Sequence, residues 1–156
     1  MARLMRALVS INLFIAACNN GASSGETTGG TSGPPAPKTR EDSLFHEVMQ
    51  GHDAGMAKTI KLRRSIKETE HLLDSLNKVP AKAVNASYKQ SLTALHTALT
   101  NADAEMFAWM QDFKADTLAD NKELRIKYLQ NEKEKVMVVK DHIFSAMQQA
   151  DSLLKK

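Results

Sequence analysis

From residue 40 onward, apolar residues recur every three or four positions, and almost nothing in this stretch breaks a helix. Of the seven glycines and four prolines in the 156-residue chain, only Gly51, Gly55 and Pro80 lie beyond residue 40. A β-sandwich or barrel needs such residues at its many turns. The spacing matches the period of an α-helix instead, so residues 40–156 are predicted to form an all-α domain.

The apolar stripes divide this domain into three amphipathic segments, at about residues 40–77, 83–113 and 120–154. Pro80 separates the first two, because proline does not continue a helix and biases the preceding residue away from the helical conformation. Three long amphipathic helices with short connections bury their stripes best as an antiparallel bundle. We therefore predict an elongated, coiled-coil-like antiparallel three-helix bundle.

The spacing also predicts which side chains face the core of this bundle. His52, Thr59 and Thr69 dilute the first stripe with polar groups, which leaves a homodimer as a second arrangement. Asp116 or Asp120 is expected to cap the third helix. The inward residues are expected to be Phe45, Val48, His52, Gly55 or Met56, Thr59, Leu62, Ile66, Thr69, Leu73 and Leu76 in the first helix; Tyr88, Leu92, Leu95, Leu99, Ala102, Met106, Trp109 and Phe113 in the second; and Leu129, Val136, Val139, Ile143, Met147, Ala150 and Leu153 or Leu154 in the third. The Glu/Lys run that contains Glu132 is expected on the solvated face.

The beginning of the chain carries the features of a bacterial lipoprotein signal. Arg3 and Arg6 precede a short apolar run that ends in Phe14-Ile15-Ala16-Ala17-Cys18. The run is too short for a membrane-spanning helix but fits the apolar region of a secretory signal. The last five residues resemble a lipobox, which implies cleavage before Cys18 and attachment of lipid to its thiol. Residues 1–17 are therefore predicted to be a signal peptide, and Cys18 the lipid attachment site.

A low-complexity segment follows the cysteine. Residues 18–39 contain mostly Gly, Ser, Thr and Pro with almost nothing apolar to bury, which is typical of a disordered linker. Neither an acidic residue nor an acidic cluster follows Cys18 directly, since the next residues are Asn19 and Asn20. The absence of such sorting signals favours the periplasmic face of the outer membrane.

Charge gives no reason to expect a nucleic-acid partner. The whole chain has 21 basic and 18 acidic residues, and cleavage of the signal peptide removes two of the basic ones, Arg3 and Arg6. The remaining 19 basic residues nearly balance the 18 acidic ones, so the mature chain lacks the strong positive charge that nucleic-acid binding uses.

Three segments of the helical region resemble a family of short bacterial lipoproteins that often carries the label "viral A-type inclusion protein". They are FHEVMQGHDAGMAKTIKLRRSIK at residues 45–67, AEMFAWMQDF at 104–113 and YLQNEKEKV at 128–136. The resemblance covers about two-thirds of the chain and implies a lipid-anchored helical protein with no assigned activity. This chain departs from the pattern at Ala54-Gly55, where relatives commonly have charged or bulkier residues. The residues that match are Glu47, Val48, Met49, His52, Asp53, Met56, Trp109, Met110, Tyr128, Leu129, Glu132, Lys133, Lys135 and Val136.

The antiparallel arrangement of the three helices predicts that histidine, methionine and aromatic side chains lie together at one end of the bundle. A second turn near Thr117 places Trp109 level with about Arg125, and Met106 level with about Tyr128. A turn near Pro80 places Met56 level with about Ala104, and His52 level with about Ala108, next to Trp109.

The gathered side chains support two interpretations. Thioether and imidazole groups suit Cu(I) or Ag(I), and the candidate ligands are His52, Met56, Met49 and Met106, with Trp109 capping the cation through its ring. Methionine beside an aromatic ring also fills core gaps well. Core packing is therefore the alternative explanation of the same cluster.

The sequence offers no catalytic constellation. The neighbouring pairs His46-Glu47 and His52-Asp53 diverge by about 100° on a helix, and Glu68 with His71 forms a single i, i+3 pair where a di-iron bundle needs two. We therefore predict a non-enzymatic, lipid-anchored protein of the cell envelope that binds a protein partner, with no cofactor besides the lipid on Cys18. A periplasmic Cu(I) or Ag(I) binding protein is the alternative.

Overall fold

Three long α-helices account for most of residues 37–154, the part of the chain that the computed structural model describes. Helix α1 spans Arg40–Asn77, α2 spans Ala86–Asp112 and α3 spans Lys122–Leu153, with a short 3-10 turn at Ala81–Ala83 between the first two. No strand occurs within the described residues, and each helix packs against the other two. The predicted all-α three-helix bundle is therefore confirmed.

The predicted signal peptide at 1–17, the lipid site at Cys18 and residues 19–36 of the predicted linker lie outside the described residues. Among residues 37–154, none of the helices combines the length and the apolar character that crossing a bilayer requires.

Ion pairs between helices define the topology. Glu47 pairs with Lys133 at 2.5 Å and Lys61 pairs with Asp151 at 2.6 Å, so α1 and α3 run in the same direction. At 38 residues, α1 is about 57 Å long at 1.5 Å per residue, and the bundle is elongated as predicted. The pairs that show α2 to run against both other helices are Arg63–Asp103, Glu70–His96, Glu105–His142 and Trp109–Glu132.

Each helix begins with a side chain that accepts a hydrogen bond from its first turn. Thr39 and Asp42 form a reciprocal capping box at α1, with the Asp42 N–H 3.1 Å from the Thr39 hydroxyl oxygen. Asn85 and Asn121 cap α2 and α3 through their side-chain oxygens, at 3.0 and 3.1 Å. The prediction of Asp116 or Asp120 as the third cap was wrong, because α3 begins at Lys122 and its cap, Asn121, lies one residue beyond Asp120.

The buried face of α1 consists largely of small and polar residues. Phe45, His52 and Ile66, predicted at the centre of the stripe, are half-buried at its edge. Hydropathy did not distinguish the true centre, because glycine and serine contribute no apolar signal. The buried residues of α1 are Leu44, Val48, Gly51, Gly55, Thr59, Leu62, Ser65 and Thr69.

Gly51 and Gly55 let α3 and α2 approach the α1 backbone closely. A Cβ atom at Gly51 would lie 2.9 Å from a methyl group of Val136, and one at Gly55 would lie 2.5 Å from the methyl group of Met106 and 3.3 Å from that of Ile143. Glycine inside a helix costs about 1 kcal/mol relative to alanine. The close packing that it permits offsets this cost.

Helices α2 and α3 bury the stripes that their spacing predicted, from Leu92 to Trp109 and from Leu129 to Ala150. Two charged residues of α3, Arg125 and Glu132, are buried as well. The prediction that Glu132 lies on the solvated face was wrong. Glu132 lies on the buried seam of α3, three residues after Leu129 and four residues before Val136.

Candidate functional site

Four rings form a continuous column at the end of the bundle where α1 and α3 begin and α2 ends. The His52 ring lies 5.7 Å from the Trp109 ring, and Trp109 stacks on Phe113 at 4.9 Å. Phe113 stacks in turn on Tyr128 at 6.2 Å. Offset stacked rings at these separations attract one another beyond the area that they bury, so the column ties all three helices together.

A buried carboxylate lies beside this column. The side chain of Glu132 is 5% exposed and accepts a hydrogen bond of 3.1 Å from the Trp109 indole N–H. Its other oxygen accepts one of 2.7 Å from the Lys135 ammonium. The pKa of Lys135 lies above its usual value, chiefly because of this hydrogen bond. A buried charge is costly unless it is paired, and Trp109 and Lys135 together supply that compensation.

A second polar cluster fixes the loop between α2 and α3. The buried guanidinium of Arg125 pairs with Glu41 on α1 and donates to the Thr117 carbonyl at 2.7 Å. Nearby, the Lys114 N–H donates to the Tyr128 hydroxyl oxygen at 2.7 Å. These contacts give Arg125 a structural role at the junction of α1, α3 and the loop.

The predicted register of α2 against α3 was wrong by about two helical turns. Trp109 contacts Glu132 rather than lying level with Arg125, and Phe113 occupies the level of Tyr128 that was assigned to Met106. The loop turns later than expected, because α3 begins only at Lys122.

The predicted metal ligands fall into two groups. His52, Met106 and Trp109 lie around the same turn of α1: the His52 ring contacts Trp109, and the Met106 methyl group fills the space over Gly55. Met56 is half-buried against the same core, whereas Met49 is half-buried one turn earlier in α1. The His52 Nδ1 atom lies 2.9 Å from a carboxylate oxygen of Asp53, so the prediction that these neighbouring side chains diverge was wrong. In residues 37–154, no three His, Cys, Asp or Glu side chains are grouped to hold a metal ion.

A groove of about 630 Å³ runs along the outside of the bundle between α2 and α3. Residues 105, 108, 109 and 112 line it from α2, and residues between Asn131 and His142 line it from α3. We call it the α2–α3 groove. Its apolar part includes Val138, which is 53% exposed, and Val139 and Trp109, which are nearly buried beneath it.

The charges around the α2–α3 groove are predominantly negative. Its lining contains the carboxylates of Glu105, Asp112, Glu132 and Glu134 against one lysine, Lys135. His142 lies at one end, with its Nδ1 atom 2.6 Å from Glu105. Its lining therefore combines an exposed apolar strip with acidic side chains.

Sequence reasoning missed Arg125, Glu132 and the α2–α3 groove. Arg125, Leu129, Glu132 and Val136 continue one helical seam at spacings of four, three and four, which was the available signal. Glu132 was expected on the solvated face because it belongs to a run of charged residues, and Arg125 was not considered as a core residue. The groove has no comparable signal, because it depends on the register between two helices.

No family model, no curated protein and no solved structure matched the chain. The class that the fold defines is a three-helix bundle with an aromatic column at one end and an acidic groove along one side. Membership of the lipoprotein family named above stays a prediction.

Proposed function

We propose that this chain is a lipid-anchored protein of the cell envelope whose helical bundle binds a protein partner without catalysing a reaction. The observation that carries the proposal is the position of the single cysteine. Cys18 directly follows the lipobox-like residues and precedes a polar linker that leads into the bundle. A lipid on Cys18 would tether the bundle to a bilayer, at about 0.8 kcal/mol for each buried CH₂ group. The periplasmic face of the outer membrane is the proposed location.

The polar groups within the bundle support a role in binding rather than in catalysis. Glu132 accepts a hydrogen bond from Trp109 on α2, and Arg125 pairs with Glu41 on α1, so both residues connect α3 to another helix. His52, His96 and His142 each pair with one carboxylate, on three separate parts of the bundle. None of these pairs adjoins a second one in the arrangement that general acid–base catalysis uses.

The anchor is tested by replacing the thiol. Cells that produce Cys18→Ala are expected to accumulate unprocessed precursor, and an alkyne-tagged fatty acid should label the wild-type chain only. Asn19→Ala is the matched control, because it changes the adjacent residue and keeps the thiol. Normal maturation of Cys18→Ala would contradict lipid attachment.

The partner is tested by crosslinking in intact cells. A photoreactive residue is placed, one position at a time, at exposed sites around the three helices of the full chain. We expect crosslinks to one protein from positions that share a single face. Uniform absence of crosslinks from all faces would count against a stable protein partner.

A periplasmic Cu(I) or Ag(I) binding protein is the second candidate. It is favoured by the convergence of His52, Met106 and Trp109 around one turn of α1, with Met56 in the same core and Met49 one turn away. The metal function is tested by titrating either ion into the chain from Lys38 onward under reducing conditions. The fluorescence of Trp109 is the readout.

Stoichiometric quenching that disappears in His52→Ala and Met56→Leu supports the metal function. Met137→Leu is the control, because it removes a thioether that lies beside Gly51 at the contact of α1 with α3 and that is not among the candidate ligands. A flat titration would contradict the metal function.

A further inference from the structure

We infer that the α2–α3 groove is the partner-binding surface and that it receives a basic amphipathic helix of the partner protein. This inference rests on the proposed function and specifies the surface and the chemistry of the partner. Shape, exposed apolar area and charge each support it.

The shape of the groove matches a helix. On α2 the lining residues run from Glu105 to Asp112 at spacings of three, one and three, which is one helical stripe. On α3 the facing stripe extends from Asn131 to His142, or about 16 Å at 1.5 Å per residue. Two adjacent helices present a groove into which the side chains of a further helix pack, as in a four-helix bundle.

The apolar strip in the groove is suited to the apolar face of such a helix. Val138 is 53% exposed, and Ala108 beside it is also exposed. Neither faces another helix of the bundle, whereas Val139 and Trp109 below them do. A helix that presents apolar residues at i, i+3, i+4 and i+7 would cover this strip, which is the usual mode of helix-in-groove recognition.

The charges specify that the helix is basic. Asp112 and Glu134 lie on opposite sides of the groove. Within residues 37–154 neither makes an ion pair closer than 4 Å, although the charge of Asp112 contributes to the raised pKa of Lys135. Glu105 adds a third carboxylate, which pairs with His142 at one end of the groove, and the one lysine of the lining, Lys135, pairs with Glu132. Lysine or arginine residues flanking the apolar stripe of the partner would complement these carboxylates. An anionic lipid surface would be repelled by them.

The occupant is tested with a defined peptide and the full chain. The probe is a synthetic 18-residue helix of leucine and lysine in a heptad pattern, with a leucine/glutamate peptide as its counterpart. Trp109 is the only tryptophan of the chain and lines the groove, so its fluorescence reports binding directly. We expect saturable one-to-one binding of the lysine peptide, and none of the glutamate peptide.

Steric block of the groove provides the first variant. Ala108→Arg places a long side chain across the apolar strip and is expected to weaken binding at least tenfold. Ala104→Arg is the matched control, because it makes the same change at an exposed position one turn earlier on α2, outside the groove. Its affinity should stay within twofold of wild type. Circular dichroism checks that both variants keep their helix content.

Charge reversal provides the second variant. The double variant with Asp112→Lys and Glu134→Lys should weaken binding at least tenfold. The control is the double variant with Asp74→Lys and Asp120→Lys, which makes the same change in net charge at exposed positions outside the groove. Equal loss in both double variants would mean that the peptide senses only overall charge, and would overturn the inference. So would absence of binding, or preferential binding of vesicles of phosphatidylglycerol over the lysine peptide.

The failure of this inference is distinguishable from the failure of the proposed function. If the peptide does not bind but photocrosslinks in cells arise from another face, the groove is not the partner site and the proposed function stands. If Cys18 carries no lipid, the anchor is lost from the proposal whatever the peptide does.

Discussion

Helices α1 and α2 contribute to the same core with opposite kinds of side chain. The buried face of α1 includes two glycines, two threonines and a serine, and the buried face of α2 consists of leucines, Ala102, Met106 and Trp109. Helix α1 therefore packs through close approach of its backbone, whereas α2 packs by filling volume. The shared core is thus stabilised in two ways, and substitutions in α1 and in α2 should have different effects.

The difference also explains where the candidate site lies. Because the glycines bring α3 close to α1, the large side chains of α2 occupy the remaining space. Trp109 reaches across to Glu132, and the outer side of this contact is the floor of the α2–α3 groove.

Removing the largest side chain of α2 should have the largest effect. Trp109→Ala is expected to lower the free energy of unfolding by about 4 kcal/mol or more, because it leaves a cavity and also removes a hydrogen-bond donor from buried Glu132. Urea unfolding followed by circular dichroism measures the change. Phe107→Ala is the control, since Phe107 lies two residues earlier and is 54% exposed. A similar loss in both variants would mean that burial does not determine the contribution of α2.

Enlarging a small residue of α1 should have the next largest effect. Gly51→Leu is expected to cost about 1–3 kcal/mol through overpacking against Val136. Ala57→Leu on the exposed side of α1 should change stability by less than about 0.5 kcal/mol. Adding Val136→Ala to Gly51→Leu should restore part of the loss, because the two residues are in contact. Simple addition of the two single losses would contradict close approach at this point.

The α2 stripe could be predicted from the sequence because its residues are strongly apolar. Leu92, Leu95, Leu99 and Met106 are all at most 2% exposed, as their spacing predicted. The α1 stripe was displaced by about one residue in places, with Phe45 chosen over Leu44. Leucine and phenylalanine are similarly apolar, so hydropathy does not choose between them, whereas Gly51 and Gly55 mark the face of α1 that packs closely against the other helices.

The candidate site was less predictable than the fold. The approach of His52 to Trp109 followed from the first hairpin, whose turn at Pro80 marks the register in the sequence. The second hairpin has no such marker, so Trp109 was placed level with Arg125 instead of Glu132. The spacing of α3 places Glu132 on the buried seam, but its partner could not be predicted, since only the correct register brings the Trp109 indole N–H to it.

A buried hydroxyl of α1 should matter less than either packing change. Thr69 is fully buried, and its hydroxyl donates to the Ser65 and Ile66 carbonyls of its own helix, at 3.0 and 2.8 Å. Thr69→Val exchanges one net hydrogen bond for additional apolar burial, so we expect stability within about 1 kcal/mol of wild type. Thermal and urea unfolding provide the measurement. A loss comparable to that of Trp109→Ala would show that the polar residues of α1 hold the helix by hydrogen bonding rather than by their small size.

The smallest expected effect concerns the N-terminal caps of α1 and α2, whose contributions to stability should depend differently on pH. Hydrogen bonding by the Thr39 side chain, and by the Thr39 and Lys38 backbone N–H groups, holds the pKa of Asp42 below its usual value of 3.8. A lowered pKa means that the ionised carboxylate stabilises the folded state at pH values above 3.8, and that this contribution is lost as the pH falls through the folded-state pKa. The destabilisation by Asp42→Ala should therefore shrink in acid. Asn85, which caps α2 in the same geometry, does not titrate, so Asn85→Ala should cost about 1 kcal/mol at neutral and at acidic pH alike. Urea unfolding of both variants and wild type between pH 7 and pH 3 compares the two caps, and parallel pH profiles would contradict a charged cap on α1.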